Sequence, residues 1–369
     1  MNKKKSVGII TMHRPVSFGS SLQAYALQYK IESLGYNAEI IDYKYPNSLH
    51  SKQNYFKRCL VKIFRLLMNM PFGFPNIIEG YRFRNFRLNY LKLSSTYNSA
   101  SDLVANPPLY DIYCTGSDQV WNSKFTKGDT SFLLSFISKD NKKISYASSF
   151  AIDYIVSDYI QLYKTYLSQY EHISVRESSG IKIIRELVAR PAQLVCDPTL
   201  LLTKEEWQPL IQYSKIKINK PYILVFMLTY SFNPYPEADR IIDKVKHELG
   251  HHIVFLSGRK QDYLRKDATV IKSAGPCEFL ELVWNASYII TSSFHGVAFS
   301  VNFEKDFIAI VKKGHTDSRL ISFLKKVNME DHAVAYDSLD NLSLAHTKSY
   351  TELQKFRNDS INYLETILQ

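Results

Sequence analysis

Short runs of apolar residues alternate along this chain with longer stretches in which apolar positions recur every three or four residues. The first pattern predicts buried β-strands, and the second predicts amphipathic helices. In the first half, strands are predicted at 7–12, 38–43, 111–115, 143–148, 173–176 and 193–196. Helices are predicted between them at 20–33, 154–169 and 178–188. This alternation indicates an α/β protein with mostly parallel sheets.

A second series of the same kind follows a polar stretch, 204–221, which ends at a proline. We predict that this stretch joins two α/β domains, residues 1–204 and 205–369. The second series has strands at 222–228, 253–257, 269–272, 288–291 and 307–311, with helices at 237–249, 276–285, 294–301 and 350–368. Two Rossmann-like halves that face each other would leave a cleft between the carboxyl ends of their strands.

Composition narrows the class of protein. A chain of 369 residues with 45% apolar and 22% charged residues is globular and exceeds the size of one hydrophobic core. The four cysteines lie far apart, which predicts a reducing compartment and neither disulfides nor a zinc site. The adjacent His251 and His252 would point to opposite faces of a strand, so we assign no metal. No apolar run is long enough to span a bilayer, and the basic start lacks the apolar run of a signal peptide, so we expect a cytoplasmic protein.

The net charge of +11 is concentrated in one segment. Residues 51–95 contain nine Lys and Arg residues and a single acid, Glu79, which gives +8. Within this segment, stretch 56–67 has helical spacing with a cationic face, and Arg82, Arg84 and Arg87 alternate with aromatic residues. These patterns are typical of an interfacial helix on the inner face of a membrane or of an anionic-glycan surface, and equally of an ordinary packed surface helix. They argue against a general nucleic-acid binder.

In the first half, polar residues follow predicted strands at three points. The turn before Ser20 can present backbone N–H groups to an anion or a sugar, or it is an ordinary serine cap. Several polar residues and one tryptophan follow strand 111–115. Such a set is typical of sugar recognition, and the alternative is a helix cap beside a core tryptophan. The residues of this set are Asp118, Gln119, Trp121 and Asn122. Arg176 ends the strand at 173–176 and can clamp a carboxylate or phosphate, unless it forms a surface pair with Glu177.

In the second half, strand 288–291 leads into Ser292, Ser293 and His295 at the start of a predicted helix. Helix N-termini favour anions, and a neutral histidine there can act as an acid or base near pH 7. A core histidine beside a serine cap would show the same pattern. We favour a functional role for these residues, because polar residues interrupt the apolar run where the cleft is predicted.

Taken together, these segments resemble the polysaccharide pyruvyltransferase family. The resemblance runs in order through 8–34, 116–122, 145–150, 173–180, 197–202 and 291–303 and ends near 314–324. It implies a fold similar to that of GT-B glycosyltransferases and the transfer of a pyruvyl group from phosphoenolpyruvate to sugar hydroxyls as a ketal. Such chemistry belongs to polysaccharide biosynthesis, for example of a capsule or exopolysaccharide.

The resemblance also implies residue roles. Arg176 and His295 correspond to residues of the family's phosphoenolpyruvate site, and Asp118 with Asn122 would position the acceptor. Ser293 stands where the family has a second arginine, so the remaining cation would come from Lys312, Lys313 or Arg319. No organic cofactor is implied, although a divalent cation would assist departure of the phosphate.

Two other functions fit the same patterns. A GT-B-like glycosyltransferase would use a nucleotide sugar in place of phosphoenolpyruvate, because fold alone does not determine the donor. A non-catalytic protein would bind anionic lipid or glycan through residues 51–95. The preferred prediction is a pyruvyltransferase that acts on a glycan or a lipid-linked sugar.

Overall fold

The structure is a computed structural model that describes residues 4–45, 73–229, 232–312, 318–336, 344 and 349–369. The amphipathic stretch predicted at 56–67 and the candidate residue Lys313 lie outside the described residues. The structure therefore describes the basic segment 51–95 only from residue 73 onward.

The first half is built on a parallel sheet. Its strands are β1 (Ser6–Ile10), β2 (Asn37–Ile40), β3 (Ile112–Thr115) and β4 (Lys142–Ser145), in the order β2-β1-β3-β4. Single bridges from Ile144 to His172 and from Ser148 to Val175 extend this sheet onto a parallel pair, β5 (Ser174–Val175) and β6 (Gln193–Leu194).

Helices connect these strands. They are α1 (Phe18–Ser33), α2 (Gly73–Tyr90), α3 (Ala100–Ala105), α4 (Ser123–Thr126), α5 (Ile160–Leu167) and α6 (Ser178–Val188). Strand β3 is buried along its whole length, as is typical of a parallel strand with helices on both faces of the sheet.

The second half has one six-stranded parallel sheet. Its strands are β7 (Tyr222–Phe226), β8 (His252–Leu256), β9 (Ala268–Ile271), β10 (Tyr288–Thr291), β11 (Phe307–Val311) and β12 (Ala333–Ala335). The order β9-β8-β7-β10-β11-β12 is that of a Rossmann fold, with its switch point between β7 and β10. The helices of this half are α7 (Lys204–Ile211), α8 (Glu237–Leu249), α9 (Pro276–Asn285), α10 (Phe294–Asn302), α11 (Ser318–Lys326) and α12 (Thr351–Leu368).

The polar stretch 204–221, predicted to join the two domains, begins with the helix α7. A capping box of Thr203 and Glu206 begins this helix, and Trp207 is fully buried. The Trp207 indole donates to the Thr199 carbonyl at 3.1 Å and packs edge-on against Phe299 of α10. A short helix with a buried face looks polar in sequence because most of its residues face water.

The two halves share an apolar core. Phe18 at the start of α1 stacks on Phe279 of α9 at 4.8 Å and contacts Phe226 at the end of β7. The last helix, α12, also reaches both halves. The Ser360 hydroxyl accepts the Cys196 N–H at 2.9 Å, just after β6, and Arg357 donates to Asn302 of α10. The carboxyl ends of both sheets are thereby held toward one cleft.

Candidate active site

A cleft of about 390 Å³ lies between the two halves. It is lined by the turns that follow β1, β3, β7, β8 and β10, and thus lies at the switch point of each sheet. Open α/β sheets bind ligands at this place. Candidate residues from both halves meet there: Ser20, Asp118, Gln119, Ser292, Ser293, His295 and Arg319.

His295 stands at the base of the cleft beside a buried carboxylate. Its Nε2 lies 3.8 Å from Oδ2 of Asp197, and Nε2 has no hydrogen-bond partner among the described residues. The imidazole side chain is 14% exposed, whereas the Asp197 side chain is completely buried. A carboxylate behind an imidazole orients the ring and stabilises its protonated form, as in other acid–base pairs.

Asp197 is held in its ionised form by its surroundings. Its oxygens accept from Arg176 at 2.6 Å, from Ser117 at 3.0 Å, and from the backbone and hydroxyl of Thr199. Burial alone would raise the pKa of Asp197, but His295 and the Arg176 guanidinium outweigh burial and lower this pKa below its usual range. Asp197 therefore supplies a fixed negative charge next to His295.

Arg176 does not face the cleft, which corrects its predicted role as a direct anion clamp. The side chain is 1% exposed, pairs with Asp197, and lies 4.5 Å over the Phe294 ring. The alternative of a surface pair with Glu177 is also wrong, because Glu177 is buried and accepts from the backbone of Phe150 and Ala151. The local sequence could not show that the partner of Arg176 would come from residue 197.

The N-terminal turns of two helices meet at His295. Ser17 caps α1 and Ser293 caps α10, each by accepting a backbone N–H of the first turn. A Cβ placed on Gly19 would lie 2.0 Å from Nδ1 of His295, so only glycine allows this contact. Two positive helix ends on opposite walls make the cleft favourable for an anion.

Asp118 is the acidic residue of the other wall. It has a left-handed backbone with φ of 74°, and its carboxylate accepts from the Ser20 hydroxyl at 2.5 Å and from the Gln119 N–H at 2.8 Å. Asp tolerates this backbone conformation better than most residues. The turn thereby directs Asp118, Ser20 and Gln119 toward the cleft.

Trp121 and Asn122 do not contribute to the cleft, so their predicted acceptor contacts are wrong. The Trp121 indole is fully buried, donates to the Phe132 carbonyl and packs against Phe150. Asn122 caps α4 by accepting the Lys124 N–H. The alternative of a core tryptophan beside a helix cap is the correct one here, since the chain turns into the core after Gln119.

Ser292, Ser293 and Arg319 complete the wall from the second half. The Ser292 hydroxyl bonds both backbone groups of Leu228 and so joins β10 to the end of β7. Among the described residues that line the cleft, Arg319 carries the one permanent positive charge. The binding roles of these three residues remain predictions.

Two residues of the site were missed in the sequence. The sequence analysis includes Asp197 only in the stretch 197–202 of the family resemblance, although an aspartate before a proline after a strand is a usable signal. Glu79 lines the cleft from α2, and burial raises its pKa to about 7. Glu79 was counted only as the single acid of a basic segment, because nothing local shows that α2 reaches the cleft.

Part of the basic segment 51–95 packs into the hydrophobic core. Phe83 and Phe86 are buried, and Arg82 binds the Ser273 carbonyl at 2.7 Å and Glu278 at 3.3 Å. The expectation that these aromatics belong to a membrane or glycan surface is therefore wrong for Phe83 and Phe86. In the parts of the chain that the structure describes, no helix is long and apolar enough to cross a membrane, and no three metal-binding side chains cluster.

This chain is similar to several solved structures of sugar-nucleotide enzymes. UDP-N-acetylglucosamine 2-epimerase from Rickettsia bellii is 10% identical, with 99% of this chain and 96% of that chain covered and a TM-score of 0.52. The epimerase from Methanocaldococcus jannaschii is 13% identical (98% and 93% covered, TM-score 0.49), and heptosyltransferase II from E. coli is 11% identical (98% and 99% covered, TM-score 0.38). The fold is thus of the GT-B type, as the sequence predicts.

The sequence comparisons address the family. No curated protein is significantly similar to this chain in sequence. The model of the polysaccharide pyruvyl transferase family, in contrast, matches residues 18–312, a range that contributes residues to both walls of the cleft. The chain belongs to the polysaccharide pyruvyl transferase family and is a transferase.

Proposed function

We propose that this protein transfers a pyruvyl group from phosphoenolpyruvate to two hydroxyls of a sugar in a glycan or glycolipid precursor. Protonation of the methylene carbon creates a cation at the adjacent carbon, which two sugar oxygens attack in turn. The bond from that carbon to the phosphate oxygen breaks. The two hydroxyls release two protons. One replaces the proton that was added to form the new methyl group, and the other leaves with inorganic phosphate.

The observation that carries this proposal is the pairing of His295 with the buried Asp197 at the cleft. The reaction needs a group that both gives and takes a proton, and an imidazole held by a carboxylate can do so near pH 7. If the Nε2 proton faces Asp197, then Nδ1 on the Gly19 side is the nitrogen that exchanges protons with the reactants. In this scheme Asp197 is a positioning residue.

The anionic donor would lie between the starts of α1 and α10. The first turns of both helices, the hydroxyls of Ser292 and Ser293, and the charge of Arg319 surround this volume. Arg176 supports the site indirectly, since it neutralises Asp197 and stacks on Phe294. The acceptor would contact Ser20, Asp118 and Gln119 on the opposite wall. We expect no organic cofactor. Assistance of phosphate departure by a divalent cation stays a prediction.

The direct test combines purified protein, phosphoenolpyruvate and a panel of sugar acceptors. Release of inorganic phosphate together with the matching mass gain of the acceptor would support the proposal. Absence of phosphoenolpyruvate binding, together with no phosphate release across the panel, would contradict it.

We expect His295→Ala to lower kcat by about 10²–10⁴-fold, the usual contribution of a general acid or base. The matched control is His247→Ala, because His247 is exposed on α8, away from the cleft. Both variants should unfold cooperatively near the wild-type denaturant midpoint. Near-normal turnover in His295→Ala would remove His295 from the mechanism.

A second candidate is a glycosyltransferase that uses a nucleotide sugar. A smaller pocket of about 110 Å³ at the carboxyl ends of β7 and β8 shares Met227 and Ser257 with the main cleft and would hold part of a nucleotide. Ligands stabilise the protein that binds them, so thermal unfolding with UDP- or GDP-sugars and with phosphoenolpyruvate separates the two functions. A rise in Tm only with a nucleotide sugar would favour this candidate.

A further inference from the structure

The first half contributes an aromatic ring to the cleft, at a residue other than the predicted Trp121. Phe125 of α4 lines the cleft together with Ser20, Asp118 and Gln119. Phe125 is 44% exposed, whereas Trp121 is completely buried. The Phe125 ring therefore presents apolar surface to the same volume in which the three polar residues present oxygen and nitrogen atoms.

Tyr45, after β2, holds the Phe125 ring in place. The two rings stack with their centroids 5.9 Å apart and an angle of 22° between their planes, and the Tyr45 hydroxyl donates to the Phe125 carbonyl at 2.7 Å. Tyr45 in turn packs against the buried Phe132, with ring centroids 5.3 Å apart. A ring that is fixed through both its backbone and its side chain loses little conformational entropy when a ligand packs on it.

Asn122 fixes the distance between this ring and the polar part of the same wall. Its side-chain N–H donates to Oε1 of Gln119 at 3.0 Å, and its backbone carbonyl accepts the Phe125 N–H at 2.9 Å. Gln119 is also joined to Asp118, whose carboxylate accepts the Gln119 N–H. The hydrogen-bonding groups and the apolar ring thus form one rigid surface.

A pyranose ring is complementary to such a surface. Its hydroxyls lie around the edge of the ring, and C–H groups cover much of its two faces. An aromatic ring has a negative face, which attracts weakly positive C–H groups, and both apolar surfaces are removed from water on contact. An open-chain polyol has the same hydroxyls but lacks the flat C–H face.

We propose that Phe125 is the platform on which a sugar ring of the acceptor packs, while Ser20, Asp118 and Gln119 bind hydroxyls at the edge of that ring. The acceptor role of this sugar rests on the proposed function. The packing of a pyranose on Phe125 is measurable without phosphoenolpyruvate and without turnover.

The binding experiment uses saturation-transfer NMR with three methyl glycosides, those of β-D-glucopyranose, β-D-galactopyranose and α-D-mannopyranose. We expect saturation to reach the C–H protons on one face of the glycoside that binds. Phe125→Ala should weaken its binding about tenfold, because about half of a phenylalanine side chain no longer contributes apolar surface. No binding of any of the three glycosides to the wild type would overturn the proposal.

The matched control is Tyr213→Ala. Tyr213 is 51% exposed and packs against another ring, that of Tyr90, but it is not among the described residues that line the cleft. Its substitution should leave the affinity for the glycoside unchanged. Equal losses of affinity in Phe125→Ala and Tyr213→Ala would contradict a role specific to Phe125.

Two further variants separate the aromatic face from apolar volume and from folding. Phe125→Tyr keeps the ring and should bind the glycoside nearly as the wild type does, whereas Phe125→Leu keeps an apolar side chain and should lose most of the affinity. Wild-type affinity in Phe125→Leu would reject stacking as the cause. Glucitol is the open-chain control, and binding of glucitol as tight as that of the glycosides would reject the platform.

A membrane is the other partner that an exposed aromatic ring could contact. Phosphatidylglycerol vesicles test it in a sedimentation assay with the wild type and Phe125→Ala. We expect the two proteins to bind the vesicles equally. A defect of Phe125→Ala that is confined to vesicles, with unchanged binding of the glycoside, would indicate membrane contact and reject the sugar platform.

Kinetics separate this inference from the proposed function. With an acceptor that reacts, Phe125→Ala should raise the acceptor KM while the KM for phosphoenolpyruvate stays unchanged. If phosphoenolpyruvate neither binds nor reacts but a glycoside still binds through Phe125, the proposed function fails and the sugar platform stands. If the wild type is active and Phe125→Ala has an unchanged acceptor KM, the sugar platform fails alone.

Discussion

At the scale of single residues, the buried pair of Arg176 and Asp197 links the fold to the chemistry of the cleft. Both side chains are removed from water, and they pair with each other at 2.6 Å. A buried ion pair adds little net stability, yet the loss of one partner leaves an uncompensated charge. We therefore expect Asp197 to contribute both to stability and to the position of His295.

We expect Asp197→Asn to lower the free energy of unfolding by about 3 kcal/mol or more, because the Arg176 charge loses its partner. Adding Arg176→Met should recover much of this loss. The matched control is Glu186→Gln, which breaks the exposed pair with Lys182 and should change stability little. Urea unfolding measures all three, and an equal effect of Asp197→Asn and Glu186→Gln would contradict the assignment.

Glu79 predicts a pH dependence of stability. Burial raises its pKa to about 7 in the folded protein, against about 4.3 in an unfolded chain. The folded state then holds more protons between these values, so this contribution is full below about pH 4 and is lost as the pH rises toward 7. We expect Glu79→Gln to reduce the fall in stability between pH 5 and pH 8. An unchanged fall, measured by urea unfolding at both pH values, would refute the assignment.

At the scale of elements, the site forms where the N-termini of two helices come together. The helices α1 and α10 follow β1 and β10, the strands at the switch points, and each begins at a serine cap. Their first turns come into contact at Gly19 and His295. The absence of a side chain at residue 19 thus determines how closely the two halves approach.

Gly19→Ala should displace the His295 ring, because the added Cβ would lie 2.0 Å from Nδ1. We expect a loss of turnover of the same order as in His295→Ala. Gly80→Ala is the matched control: no atom of the described part of the chain lies within 4 Å of its added Cβ, and alanine stabilises a helix interior by about 0.5–1 kcal/mol. Turnover and urea unfolding distinguish the two, and an active Gly19→Ala would show that the contact is dispensable.

At the scale of the whole molecule, α12 connects regions that are distant in sequence. Tyr363 donates to the Ile173 carbonyl of the first half, and Arg357 donates to Leu200 and to Asn302 of α10. Leu364 is fully buried on the same helix. The helix that ends the sequence therefore supports the wall that carries His295.

We expect Leu364→Ala to destabilise the protein by about 2–5 kcal/mol, the usual cost of a cavity in a core. Its neighbour Glu365 is exposed, and Glu365→Ala should have little effect. Denaturant unfolding compares the two variants. Equal midpoints would mean that α12 is not part of the cooperative core.

Much of the fold could be predicted because its signals are local. Helices Ser178–Val188, Glu237–Leu249 and Pro276–Asn285 and strands Tyr288–Thr291 and Phe307–Val311 have the predicted bounds. Apolar periodicity reports which face of an element is buried, and it needs no knowledge of the partner. The Asp–Pro turn and the short helix α7 carry weaker signals, since few of their residues show any period.

The sequence by itself determined the α/β class, the family resemblance, and the placing of His295 at the start of a helix after a buried strand. Only the tertiary structure decided that Asp197 stands behind His295, that Arg176 is its buried partner, and that Trp121 belongs to the core. The physical reason is the range of the interactions. Caps and periodicity act within a few residues, whereas burial and ion pairing depend on segments that the fold alone brings together.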